Sequence, residues 1–122
     1  VNPLSITMQR DELLTILEVN REKHVSDYQQ LSRAYQQAAL RTLHEHLARI
    51  SGDVTAGRHS THVQVHLAPP TSFADQYDRA IGMIKHHLHS TIVLDERQYD
   101  RYVQDNWGWK QEFAALTTSY LA

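Results

Sequence analysis

ITMQRDELLTILEVNREKHVSDYQQLSRAYQQAALRTLHEHLARISG, residues 6–52, contains neither proline nor glycine before its last position. Proline removes a helical N–H and glycine costs backbone entropy, so a stretch free of both permits one long helix. Thr7 or Ser5 can cap its start, Asp11 and Glu12 stand near the positive end of the dipole, and Arg49 before Ser51-Gly52 supplies a basic last turn and a stop. The expected helix covers residues 8–50. Leu17, Tyr28, Ala39 and Ile50 recur every eleven residues, a period that favours a nearly straight stripe over a left-handed heptad seam. Asn20, Arg21 and His24 interrupt the stripe. About forty helical residues make a rod of roughly 60 Å, about twice the width of a domain of this size. Such a rod is expected to break near residues 20–27 or to pack against a second copy of the chain.

Beyond it, SGDVTAGR is loop by composition. THVQVHLAPP then alternates, with Thr61, Val63, Val65 and Leu67 on one face and His62, Gln64 and His66 on the other, the signature of a half-buried strand ended by Pro69-Pro70. Thr71 or Ser72 caps a helix, with Asp75 in the capping-box place, and Phe73, Tyr77, Ala80, Ile81, Ile84 and Leu88 form one apolar face. STIVL is a short β-branched strand. Strand, helix, strand fits a right-handed βαβ unit or an antiparallel pair, and two strands alone are marginal in water. A third strand from residues 53–60 or from a second subunit would complete the sheet. Asp95 with Gln98 is a capping box, and Tyr99, Tyr102 and Val103 face inward from the helix it opens. At Gly108 that helix either runs on or gives way to a last helix starting near Asp105.

The expected fold is α+β: a single domain over residues 1–122, with a long helix at 8–50, strand–helix–strand at 60–94 and a helical C-terminus at 95–121. The chain has 122 residues, 41% hydrophobic and 21% charged, which suits one globular domain. The net charge is −2, and residues 1–70 hold seven acids and seven bases against seven and five in residues 71–122. No global field draws the chain to nucleic acid or an anionic membrane. Without cysteine there are no disulfides, thiolate nucleophiles or cysteine zinc sites. No segment resembles a signal peptide or a transmembrane span, so the expected compartment is the cytoplasm.

Nine histidines raise the question of a metal. His62 and His66 stand roughly 13 Å apart along a strand, and His44 and His46 diverge by about 200° on a helix. His86 and His89, three apart on a helix, are the one pair that can meet an ion, and no acid lies near in sequence to complete the site. No nucleophile elbow, P-loop, dinucleotide glycine run or HExxH occurs. The expectation is no metal, no cofactor and no catalytic residue.

The open feature is DNWGWKQEF, residues 105–113, which holds both tryptophans. Arg97, Arg101, Trp107, Trp109 and Lys110 interleave cations with rings and are the candidate binding residues, for a protein partner or for a nucleotide stacked on an indole. Trp109 and Phe113 share the helical stripe of Tyr99, Tyr102 and Tyr120 and belong to a core, leaving Trp107 as the ring expected to face outward.

YDRAIGMIKHHLHSTIVLDERQYDRYVQDNWGWKQEF, residues 77–113, resembles a family of small proteins from tailed bacteriophages and prophages, whose pattern runs roughly DYDRAIxML, a short strand, then LDExxFxxYVxDDWxWKxxF. Tyr77 to Ile81, Leu94, Asp95, Glu96, Tyr102, Val103, Asp105, Trp107, Trp109, Lys110 and Phe113 match it, as do the opening QRDELL and NREKH; Asn106 and KHHLHS depart from its acids. The resemblance brings no established activity. It implies a phage accessory protein in the host cytoplasm that binds a host or phage protein, in host takeover or anti-defence, rather than an enzyme. A homodimer is expected, and nucleic acid or membrane partners are not; the alternative is a small-ligand or nucleotide-binding module on the Arg/Trp cluster.

Overall fold

The computed structural model describes residues 5–55, 57 and 66–122, apart from the side chains of residues 53 and 54. Among these the order is β1 (Ser5–Gln9), α1 (Arg10–Thr55), α2 (Ala74–Lys85), β2 (Thr91–Asp95), α3 (Glu96–Tyr102) and α4 (Trp109–Leu121). The architecture is α+β, with a long N-terminal helix, a small antiparallel sheet, packed helices and a helical C-terminus.

The sheet is built from unexpected material. β2 is the STIVL strand, but its partner is β1, in the register Ser5↔Asp95 to Gln9↔Thr91. Residues 5–9, read from sequence as a helix start, alternate Ile6 and Met8 inward with Ser5, Thr7 and Gln9 outward. Ile6 and Met8 lie opposite Leu94 and Ile92, so one face of the ribbon is apolar. That face closes on Leu13, Leu17, Ala80, Ile81, Ile84 and Tyr102, and this packing makes so small a sheet stable. The strand expected at residues 61–67 falls largely outside the described residues, and residues 66–73 form neither helix nor strand.

α1 follows β1 directly and runs unbroken through residues 20–27 and past Gly52 to Thr55, a rod of roughly 70 Å. Its buried side chains are Leu13, Leu17, His24, Leu31 and Ala38. The last four are seven residues apart, the heptad period of a left-handed seam. Of the eleven-residue series read from sequence, only Leu17 is fully buried. From His24 onward the neighbour of this face is α4. His24 meets Trp109, Tyr28 meets Phe113 and Tyr35 meets Tyr120, with ring centroids 4.6, 6.4 and 5.6 Å apart. The sequence separation is identical in all three pairs, so the helices run parallel and in register.

α2 packs Tyr77, Ala80, Ile81 and Ile84 inward, as its periodicity implies, but stops at Lys85. Leu88, expected on the same face, is 92% exposed. Its start lacks the expected capping box: no side chain of the N-cap residue Phe73 serves the first turn. α3 does open on the expected box, Gln98 N–H donating to Asp95 Oδ1 (2.8 Å) and Asp95 N–H to Gln98 Oε1 (3.0 Å). Between α3 and α4 the chain turns sharply through Asp105 (φ 59°) and Gly108 (φ 94°), so the helix does not run on through Gly108.

Candidate interaction site between the long helix and the C-terminal helix

At the level of Trp109 the seam contains a histidine. His24 has no exposed surface, and its ring lies within 4.6–6.5 Å of those of Tyr28, Phe73, Tyr77, Trp109 and Phe113. Nε2 accepts the Phe73 backbone N–H at 2.8 Å. The imidazole therefore shares the capping of α2 with Ser72, whose Oγ accepts the Ala74 N–H at 3.2 Å, and it holds the start of α2 against α1. A ring that accepts at Nε2 while neutral carries its proton on Nδ1, which is buried without a protein partner. Burial lowers the basicity of His24; the charges of Asp105 and Asp27 oppose that shift and Arg21 adds to it.

Beside it runs a buried chain of polar contacts. Trp109 Nε1–H donates to the Tyr77 hydroxyl at 2.8 Å, and that hydroxyl donates to Asp105 Oδ1. The other oxygen of Asp105 stands 3.2 Å from Lys110 Nζ. Burial, and after it the hydrogen bond to Asp105, push the Tyr77 phenol well above the tyrosine range, so it stays a neutral donor. The positive φ of Asp105 aims its carboxylate inward at Tyr77. This polar chain locks α2, the 103–108 turn and α4 together.

Four of the five residues singled out from sequence are neighbours: Arg101 lies over Trp107 and Lys110 over Trp109, both indoles touching Tyr77, while Arg97 stands apart. Trp109 is only 2% exposed. Trp107, expected to face outward, is half-buried: its indole packs on Tyr77 (4.7 Å) and Tyr102 (5.7 Å) and joins the two core clusters. Its Nε1–H is buried and unpaired, and the Arg101 guanidinium lies 5.6 Å above the ring. Arg97 lines a separate hollow of about 560 Å³ with Glu96, Asp100 and Tyr99, where two carboxylates oppose a phosphate.

Lys110 does reach an open surface. Between α1 and α4 lies a groove of about 440 Å³ with a floor of Leu31, Ala34, Phe113 and Ala114, rimmed by Lys23, Asp27 and Lys110. The small side chains Ala34 and Ala114 leave the groove open between the parallel helices. Sequence reasoning missed its α1 wall, and it missed His24 and Asp105. The signal for His24 was available: it stands seven residues from both Leu17 and Leu31.

Among the described residues no three His, Asp or Glu side chains gather to hold a metal ion. His86 and His89 lie beyond the end of α2, so the helical spacing that would have brought them together does not exist. No described helix is long and apolar enough to cross a membrane. No family model, curated protein or solved structure matches the chain.

Proposed function

We propose that this chain is a non-enzymatic module that works by binding a host or phage protein, in the cytoplasmic setting its resemblance to phage accessory proteins implies, and that the partner docks in the α1–α4 groove. The observation that carries the reading is the groove itself: an apolar floor between two rigid helices, rimmed by charges that set orientation. The reactive-looking groups support it from the other side. His24, Tyr77 and Asp105 are buried and engaged with one another's elements, so their chemistry is spent on holding the groove's walls. A nucleotide site on Arg97, Arg101, Trp107 and Lys110 is the weaker reading, because Arg101 covers Trp107 and Lys110 faces Asp105.

The test is affinity capture from infected and uninfected cell lysates, followed by calorimetry with the purified partner. Ala114→Arg fills the groove and is expected to abolish binding, while Val93→Arg, on the outer face of β2, leaves it intact. Equal binding by both variants, or saturable quenching of tryptophan fluorescence by nucleotides with no protein retained, contradicts the reading.

A further inference from the structure

α1 carries a second apolar stripe that the core formed by the described residues does not use. The core-facing side ends at Ala38: the positions that continue it, Thr42, Glu45 and Arg49, are polar, and the latter two are exposed. The last turn of α4 reaches α1 at Arg41, whose guanidinium donates to the Tyr120 carbonyl at 2.6 Å. From there the leucines change sides. Leu40, Leu43 and Leu47 are 55%, 37% and 50% exposed. With Ile50 they point roughly 120–200° away from Ala38 at 100° per residue. The same outer side is largely polar upstream, at Glu22, Gln29, Ser32 and Gln36, with Val25 the apolar exception, so the stripe becomes continuous only where the helix leaves its core.

The spacing of Leu40, Leu43, Leu47 and Ile50 is 3-4-3, the a-d-a-d order of a coiled coil. Ala39, His44, His46 and Ser51 flank it, while Arg41, Glu45 and Arg49 point to the other side of the helix, so no lysine, arginine or glutamate borders the stripe in this stretch. A face of this kind fits a copy of itself. About a two-fold axis level with Glu45, Leu40 of one copy meets Ile50 of the other and Leu43 meets Leu47, closing four leucine or isoleucine layers with no unmatched position. Parallel pairing would put leucine at a and isoleucine at d of the last layer, an order that favours larger assemblies over pairs.

We propose that the end of α1 pairs with the same segment of a second copy of this chain as an antiparallel two-stranded coiled coil, through Leu40, Leu43, Leu47 and Ile50. This surface lies on the opposite side of α1 from its core and is independent of the groove reading. Antiparallel pairing also sends the two folded bodies to opposite ends of the coil, leaving both grooves open.

Because the chain has no cysteine, single-cysteine variants report the geometry cleanly. Sedimentation of the wild type is expected to show a dimer in the micromolar range. Leu47→Glu weakens association about 100-fold, from two leucines lost per dimer, whereas Leu88→Glu, at the exposed turn after α2, leaves it unchanged. Mixed under oxidation, Leu43→Cys and Leu47→Cys form a disulfide between the two variants, and neither forms one alone. A monomer at every concentration, a dimer indifferent to Leu47→Glu, or a disulfide in Leu43→Cys alone overturns the proposal.

Discussion

Up to Ala38, α1 is a core helix; beyond it, the same unbroken helix presents its apolar residues on the opposite side. The first stretch buries Leu17, His24, Leu31 and Ala38 against α2, α4 and the sheet, and the second exposes Leu40, Leu43 and Leu47. Backbone and composition hardly change between them. What changes is phase: a shift of the apolar pattern by about half a turn turns the leucines from the core to the exposed side of the helix. A long amphipathic helix is thus read segment by segment, because one averaged stripe would merge a buried face with an exposed one.

The difference between the segments fixes what substitutions do. Leu17→Ala removes a fully buried side chain from the sheet-side cluster and is expected to lower stability by about 2–5 kcal/mol. Leu47→Ala, measured on dilute protein by the same urea titration, shifts it by less than about 0.5 kcal/mol. Equal losses would erase the contrast. Next in size is Tyr77→Phe, which strands the Trp109 N–H and the Asp105 carboxylate and costs about 1–3 kcal/mol.

His24 gives the core segment a pH dependence. Its folded basicity is depressed below the ordinary 6.5, so the unfolded chain takes up a proton first as pH falls. Its contribution is complete above that value and is lost on acidification, until the buried ring itself protonates. Thermal melts from pH 8 to 4.5 should show an added slope of at most about 1.4 kcal/mol per pH unit. The slope should diminish in His24→Gln. An identical pH profile in that variant would show that His24 does not couple folding to protons. A smaller loss is expected at the site's far wall: Gly108→Ala meets no steric neighbour but must hold φ 94°, at a cost of about 1 kcal/mol.

Much of the architecture was legible in the sequence, and the failures share one cause. The long helix, the inward face of α2 from Tyr77 to Ile84, the β2 strand and the Asp95–Gln98 box follow from local pattern. β1 does not, because Ser-Ile-Thr-Met-Gln suits a helix start as well as a strand, and only β2, far along the chain, decides between them. The heptad seam was hidden by His24, which counts as polar until five aromatic rings are found around it. The candidate site was half legible. Trp109 and Lys110 lie at the groove, but Leu31 and Ala34 look like ordinary helix residues until α4 is laid beside them, and Trp107 is the more exposed of the two indoles, as read, but only in part because Tyr77 and Tyr102 cover its ring.

The most direct measurement is amide hydrogen exchange along α1 at several protein concentrations. Amides from Leu13 to Ala38 should keep the same protection throughout, while those from Leu40 to Ile50 should lose theirs as the protein is diluted through the micromolar range. Protection that is uniform along α1, or that is independent of concentration in both segments, would contradict the division of the helix into a core face and an outer pairing face.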